Sequence, residues 1–178
     1  GQFLAENMDK LKFENKLIKN VTLHEACKTS YMGIDLESVR KILAEIPNIK
    51  LIEMKHHGKN TICCGSESRE HNPKCADKMK EKRLKEAEEV NPDILLDVCQ
   101  FCHDTFATDE LEYDFKIENY INFISKSLGI NREDKYKKYK QWRNVDRVME
   151  DAKDFIYDSP YSKEQVISVL CNLFSITQ

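Results

Sequence analysis

Pro92-Asp93-Ile94-Leu95-Leu96-Asp97-Val98-Cys99-Gln100-Phe101-Cys102 is the stretch on which the fold turns. Proline breaks the helix before it, and the nearly continuous apolar run from Asp93 to Val98 is of the kind buried on both faces of a parallel sheet. The strand ends at Cys99. Working outward, the same order recurs on either side. Lys74 to Val90 reads as a charged amphipathic helix, preceded by a polar loop, His56 to Asn72, that carries Cys63-Cys64-Gly65. Before that loop lies a strand, Lys50 to Met54. Further upstream Val21-Thr22-Leu23-His24 is a short β-type run, followed by a polar segment, Glu25 to Gly33, that holds Cys27. Leu36, Val39, Ile42, Leu43 and Ile46 then recur at helical spacing until Pro47-Asn48 stops them. Downstream a short helix-like stretch leads to a weak strand, Phe115-Lys116-Ile117, and a helix from Ile121 to Leu128 closed by Gly129. Strands alternating with helices imply βαβ crossovers. The expected fold class is therefore α/β, a mostly parallel sheet with helices on both faces.

The flanks read differently. Phe3, Leu4, Met8, Leu11, Phe13, Leu17 and Ile18 predict a helical leader over residues 1–20, ahead of a core domain over 21–130. Beyond it, Tyr139, Trp142, Val145, Met149, Ala152 and Ile156 predict one helix running to about Asp158. Ser162 and Gln165 have the spacing of a capping box for a second, with an apolar stripe of Val166, Val169, Leu170, Leu173 and Phe174. A helical hairpin over 131–178, packed on the α/β body, is the expectation. The 178 residues suit one domain with appendages, and 40% hydrophobic residues supply one sizeable core. Twenty-eight basic against 31 acidic residues leave a net charge of −3, which argues against nucleic acid as a partner; Tyr136-Lys137-Lys138-Tyr139-Lys140 reads as a solvated helix face. The longest apolar runs are too short to insert directly into a membrane.

Seven cysteines are the anomaly. In a Lys/Glu/Asn/Ile-rich chain that opens on Gly-Gln without a signal peptide, they point to metal or redox chemistry in the cytoplasm and away from structural disulfides of a secreted domain. Cys27, Cys63, Cys64, Cys99 and Cys102 all fall in connections that follow a predicted strand or open the next helix. In an open α/β sheet such connections converge at one edge. Thiolates favour iron–sulfur clusters, zinc or monovalent copper, and cysteines two residues apart can face one centre. Adjacent Cys63 and Cys64 need an irregular loop, for which Gly65 gives freedom. Taken alone, Cys99-Gln100-Phe101-Cys102 fits a zinc half-site, a cluster half-site or a dithiol pair. Cys171, in the last apolar stripe, reads as a core residue, and Cys75 as a surface thiol or a neighbour of the cluster loop. His24 and His103 flank the cysteine loops, where a structural role competes with hydrogen bonding to sulfur or proton relay. His56, His57 and His71 are expected to be exposed, with an adventitious zinc site alongside Cys63 and Cys64 as the alternative.

The ordered whole says more than its parts. One cysteine, 35 intervening residues, Cys-Cys-Gly, 34 residues after Cys64 and then the spaced pair resemble the cysteine-rich CCG domain of the heterodisulfide reductase family. That domain also occurs in iron–sulfur subunits of lactate, glycolate and glycerol-3-phosphate oxidising complexes and in some succinate:quinone reductases. The likeness runs from His24 to about Gly129. It includes Leu23-His24-Glu25-Ala26-Cys27, Ile46 to Met54, Ile62-Cys63-Cys64-Gly65 and Asp93 to Cys102. Ala26 stands where the family often has proline, and Ser66-Glu67-Ser68 where it has further glycines, which bears on the outer face of the site and so on the substrate.

The resemblance implies a Rossmann-like domain and a non-cubane four-iron, four-sulfur cluster held by Cys27, Cys63, Cys64, Cys99 and Cys102. It also implies reductive cleavage of a mixed disulfide such as that of coenzymes M and B, in an anaerobe or low-oxygen niche. Family proteins commonly carry two such domains, so a fragment or a partner-dependent subunit is expected. The partner would be a ferredoxin-type or flavin-containing electron-donor subunit, through which any membrane association would run. The competing expectations are an electron-transfer subunit of a flavin-linked dehydrogenase complex, and a zinc-stabilised interaction module with zinc in place of the cluster. Five clustered thiolates are one more than tetrahedral zinc uses.

Overall fold

The computed structural model describes residues 1–14 and 18–174, and the chain divides into two compact units, Gly1–Arg132 and Glu133–Gln178. In the first, strands β1 (Lys19–His24), β2 (Ile49–Leu51), β3 (Ile94–Asp97) and β4 (Lys116–Asn119) form one sheet in the order β2-β1-β3-β4. Every neighbouring pair is parallel, with Val21 level with both Leu51 and Ile94, and Leu95 level with Ile117. Among the described residues six helices accompany it: α1 (Gln2–Glu6), α2 (Cys27–Met32), α3 (Ser38–Glu45), α4 (Pro73–Glu89), α5 (Gln100–Phe106) and α6 (Tyr120–Ser127).

Alternation along the strands sorts these helices onto two faces. Val21, Leu23, Ile94 and Leu96 point to one side, where Val39, Ile42 and Leu43 of α3 and Phe123 and Ile124 of α6 cover them. Leu95 and Ile117 point to the other, against Leu84 and Ala87 of α4 and Cys102 and Phe106 of α5. All four residues of β3 are buried, as a central parallel strand requires. The expected α/β class, with a parallel sheet and helices on both faces, is what the chain forms.

Three boundaries differ from the periodicity. β2 leaves the ladder after Leu51, short of Met54, because Met54 is itself buried in the α4/α5 core and the chain must turn toward it. β4 runs to Asn119, past Ile117; its polar end gave no apolar signal, yet Glu118 pairs with Lys126 and Asn119 donates to Asp97 at 3.0 Å. At the N-terminus α1 and a single turn, Met8–Lys10, pack Leu4, Ala5, Met8 and Phe13 on the α3/α6 side. Leu17, placed by its spacing in the helical leader, lies outside the described residues.

The second unit is helical: α7 (Lys135–Trp142), α8 (Val145–Asp151), α9 (Lys153–Tyr157) and α10 (Lys163–Phe174). The long helix expected from Tyr139 is interrupted because Arg143 adopts a left-handed conformation (φ 47°) and Asn144 caps α8 by accepting from the Arg147 amide at 2.8 Å. The capping box forms, with Ser162 N to Gln165 Oε1 at 2.9 Å and Gln165 N to Ser162 Oγ at 3.3 Å. Cys171 packs against a small core of Tyr139, Val148 and Phe174. Among the described residues no helix is long and apolar enough to cross a membrane.

Because both faces of β3 are covered, Leu95→Ala and Leu96→Ala are each expected to lower unfolding free energy by about 2–5 kcal/mol in urea titration. A sheet open on one face would leave one of the two substitutions near neutral.

Candidate metal centre

β1 and β3 lie side by side, with β2 outside one and β4 outside the other, so the chain leaves their carboxyl ends in opposite directions. That is where an open α/β sheet forms its crevice. Cys27 opens α2 directly beyond β1, Cys99 is the cap residue of α5 beyond β3, and Cys102 sits one turn into that helix. Cys63 and Cys64 come from the irregular connection between a single turn, Gly58–Asn60, and α4. Gly65 sets their direction. Its φ is +85°, and a Cβ there would stand 2.6 Å from the Ala76 carbonyl oxygen, so the chain lies directly against the first turn of α4 and only glycine fits. The Gly65 amide donates to Cys63 Sγ at 3.4 Å.

Cys64 and Cys102 are buried, each 3% exposed, while Cys27, Cys63 and Cys99 are half-buried at the rim. Cys64 and Cys102 lie together, Cys99 acts on Cys102, and Cys27 acts on Cys63. The neighbouring Cys64 and Cys99 sulfurs, together with burial, push the Cys102 pKa far up. Cys64 is held down at about 4, first by a hydrogen bond from Cys102 and, against its burial, by His24 and the Ser66 amide. Cys99 lies at about 6, lowered by Cys102 and then by the Cys102 and Phe101 amides. Burial pushes Cys63 up to about 12, and Cys27 beside it adds to the rise against the Gly65 amide. Their protonation is thus linked, as expected of thiols packed closely enough to titrate together. A ring nitrogen of His24 and the sulfurs of Cys64 and Cys102 lie within 4.8 Å of one another. Soft sulfur donors converging from three connections suit iron–sulfur chemistry better than hard cations.

Behind the sulfurs lies a charged network. Arg83 of α4 is fully buried. Its Nε donates to His24 Nδ1 at 2.9 Å, Nη1 to the His56 carbonyl at 2.7 Å and Glu86 at 2.9 Å, and Nη2 to Thr61 Oγ1 at 3.1 Å and the Leu23 carbonyl at 3.3 Å. Glu25 Oε2 lies 3.6 Å from Nη2. Burial lowers the Arg83 pKa, with Glu25 and Glu86 opposing. Glu25 in turn accepts from Arg40 and from the Gly58 amide at 2.7 Å, and Arg40 reaches Glu53 at 2.6 Å. Despite burial, Arg40 and the Gly58 amide hold Glu25 below the ordinary carboxylate range.

His103 is buried with Nδ1 2.7 Å from Asp97 Oδ2, whose other oxygen takes the Asn119 amide. His56 pairs with Glu86 at 2.7 Å, His57 turns its ring toward the Met54 carbonyl, and His57 and His71 are exposed. Among the described residues the metal-capable grouping is His24, Cys64 and Cys102, so the loop histidines do not assemble the zinc site weighed for them. Cys75 is an exposed thiol of α4. Sequence reading passed over Arg83, Glu25, Arg40, Glu53 and Glu86. One signal was available: Ala76, Arg83, Leu84 and Ala87 share the buried stripe of α4, so Arg83 occupied an apolar position.

Residues 21–107 match the cysteine-rich domain family CCG. A subunit of the dihydromethanophenazine:CoB–CoM heterodisulfide reductase of Methanosarcina barkeri is 33% identical over 137 residues, 73% of this chain and 33% of that protein. Its namesake from Methanosarcina acetivorans is 32% identical over 130 residues, 70% and 32% respectively. The protein of the same name from Methanosarcina mazei is 31% identical over 137 residues, 73% of this chain and 33% of that protein. The chain spans about a third of the length of these relatives. No solved structure matches it significantly.

In metal-free protein under reducing conditions, Cys99 is already thiolate above pH about 6, so its alkylation by iodoacetamide should stay nearly flat from pH 7 to 9 by peptide mass spectrometry. The same peptide in unfolded chain should speed up across that range, as an ordinary thiol near pKa ~8.5 does. Cys63, protonated to about 12, should label slowest at the rim. Gly65→Ala should lower stability by about 1–3 kcal/mol, since it combines left-handed strain with a backbone clash, and should disturb labelling of Cys63 more than that of Cys171.

Proposed function

We propose, from the match of residues 21–107 to the cysteine-rich CCG domain family, that Cys27, Cys63, Cys64, Cys99 and Cys102 hold a non-cubane four-iron, four-sulfur cluster that serves in reducing a mixed disulfide. The family match and the heterodisulfide reductase relatives support an iron–sulfur oxidoreductase role. The observation that carries the finer reading is that the sulfurs of Cys64 and Cys102 lie within 4.8 Å of each other and of a His24 ring nitrogen, with Cys99 acting on Cys102 and Cys27 on Cys63.

The residues divide the work. Cys64 and Cys102 anchor the site from its floor, where water is excluded. Cys27, Cys63 and Cys99 are half-buried, and Phe101, between Cys99 and Cys102 in the chain and 66% exposed, offers a substrate an apolar contact. The Ser66, Gly65, Phe101 and Cys102 amides stabilise negative charge on sulfur. When bound, the cluster supplies single electrons and a soft metal to receive thiolate sulfur. Cleaving one disulfide to two thiols takes two electrons and two protons. The electrons come from a partner subunit, ferredoxin-type or flavin-containing, since the five cysteines are occupied as ligands and end the reaction unchanged. The partial exposure of Cys27, Cys63 and Cys99 favours this role over simple electron relay, which needs no access for a disulfide.

Anaerobic reconstitution followed by iron and sulfide analysis should give about four of each per chain. Cys64→Ala and Cys102→Ala should abolish loading and Cys171→Ala leave it intact. Fewer than about two irons per well-folded chain, or zinc at stoichiometry after anaerobic purification, would sink the cluster reading. A dithionite-reduced sample should reoxidise on adding the mixed disulfide of coenzymes M and B; a cluster that is reducible yet indifferent to that disulfide would point to electron transfer instead.

A further inference from the structure

His24 sits on β1 with its side chain fully buried on the α4/α5 face, edge-on to Phe106 at 4.9 Å between ring centroids. Its Nδ1 receives the Arg83 Nε–H at 2.9 Å. Arginine has five N–H donors and no acceptor, so Nδ1 must offer its lone pair and carry no proton. A proton on Nδ1 would set two donors against each other at that distance, between side chains that are both fully buried. The neutral ring therefore carries its proton on Nε2. Nε2 is buried and has no hydrogen-bond partner, while a ring nitrogen stands within 4.8 Å of the sulfurs of both Cys64 and Cys102. A buried N–H without an acceptor is costly, and sulfur is the acceptor at hand.

A ligating imidazole needs the opposite arrangement, a bare Nε2 with the proton on Nδ1. Arg83 forbids it. Other groups around Arg83 reinforce the choice: Glu86, Thr61 and the His56 and Leu23 carbonyls fix the guanidinium through Nη1 and Nη2, leaving Nε no other direction than His24. We infer that His24 is a hydrogen-bond donor to the sulfurs at Cys64 and Cys102 and not a metal ligand, and that Arg83 is the positioning residue that fixes it so. This rests on the cluster reading for its redox consequence but not for the donor geometry. An N–H aimed at cluster sulfur stabilises the more electron-rich state and so raises the reduction potential.

Two measurements test it. Nitrogen-15 NMR of histidine-labelled, metal-free, reduced protein should show His24 protonated at Nε2 with Nδ1 as acceptor; a proton on Nδ1 overturns the inference, and this readout stands whether or not a cluster binds. In reconstituted protein, His24→Leu should favour the oxidised cluster roughly tenfold at fixed poise, a fall of about 59 mV for a one-electron couple. His24→Gln, which keeps an amide N–H near the Nε2 position, should recover most of that shift. An unchanged potential in fully iron-loaded His24→Leu, or a directly bound nitrogen seen by pulsed EPR of the wild-type cluster, overturns it. Failure of the wild-type chain to take up iron would instead remove the cluster reading while the NMR result still decides the donor.

Discussion

Arg83 is the constraint on which the rest of this domain depends. A guanidinium taken wholly out of water is tolerated only when its donors and its charge are answered, and here the answers come from separate parts of the chain. Leu23, His24 and Glu25 lie at the carboxyl end of β1, His56 and Thr61 lie in the connection after β2, and Glu86 is on the same helix. Satisfying one side chain therefore fixes the end of β1, the loop that leads into Cys63 and the helix against which Gly65 presses. Removing one partner of such a group leaves a buried charge uncompensated, at about 3–5 kcal/mol. The cost explains why so many partners are gathered on one residue.

The cysteine loops inherit their positions from this junction and from the sheet order. Parallel neighbours β1 and β3 bring Cys27 and Cys99 to one edge, because crossovers that diverge from adjacent strands leave a gap between them. The Cys63-Cys64 step cannot reach that gap from a regular strand, where alternate side chains point apart. It reaches because β2 ends early and Met54 turns the chain into the α4/α5 core. The short second strand is thus part of how the site is assembled.

The α/β class, the four strands and the long α4 were readable because apolar periodicity and proline breaks act locally, and β3 reads as a strand from Ile94, Leu95 and Leu96 alone. The nearness of Cys64 and Cys102, with 37 residues between them in sequence, was readable because strand-end loops converge by topology. What escaped was set by tertiary pairing. Glu118 and Asn119 look like loop residues and belong to β4, since Lys126 and Asp97 answer them. Arg143 ends α7 by adopting a conformation that no side-chain periodicity encodes. Arg83 is hidden among the lysines and glutamates of a charged helix, and only its place on the stripe of Ala76, Leu84 and Ala87 distinguishes it.

The same network also decides what kind of field the sulfurs experience. Two buried or half-buried guanidiniums, Arg83 and Arg40, face three carboxylates, Glu25, Glu53 and Glu86, so most of their charge is answered within the network, while Arg83 also acts on Cys102. The donors that do reach sulfur are neutral: the amides of Gly65, Ser66, Phe101 and Cys102, together with His24. A neutral donor stabilises added negative charge without itself being desolvated as an ion, and it gives direction where a buried cation would give a field without direction. Arg83 therefore acts on the site by orienting an imidazole, with its charge answered mainly by Glu25 and Glu86 and more weakly by Cys102. Fixed neutral dipoles beside buried sulfurs stabilise negative charge there without the indiscriminate attraction for anions that an unpaired cation would exert.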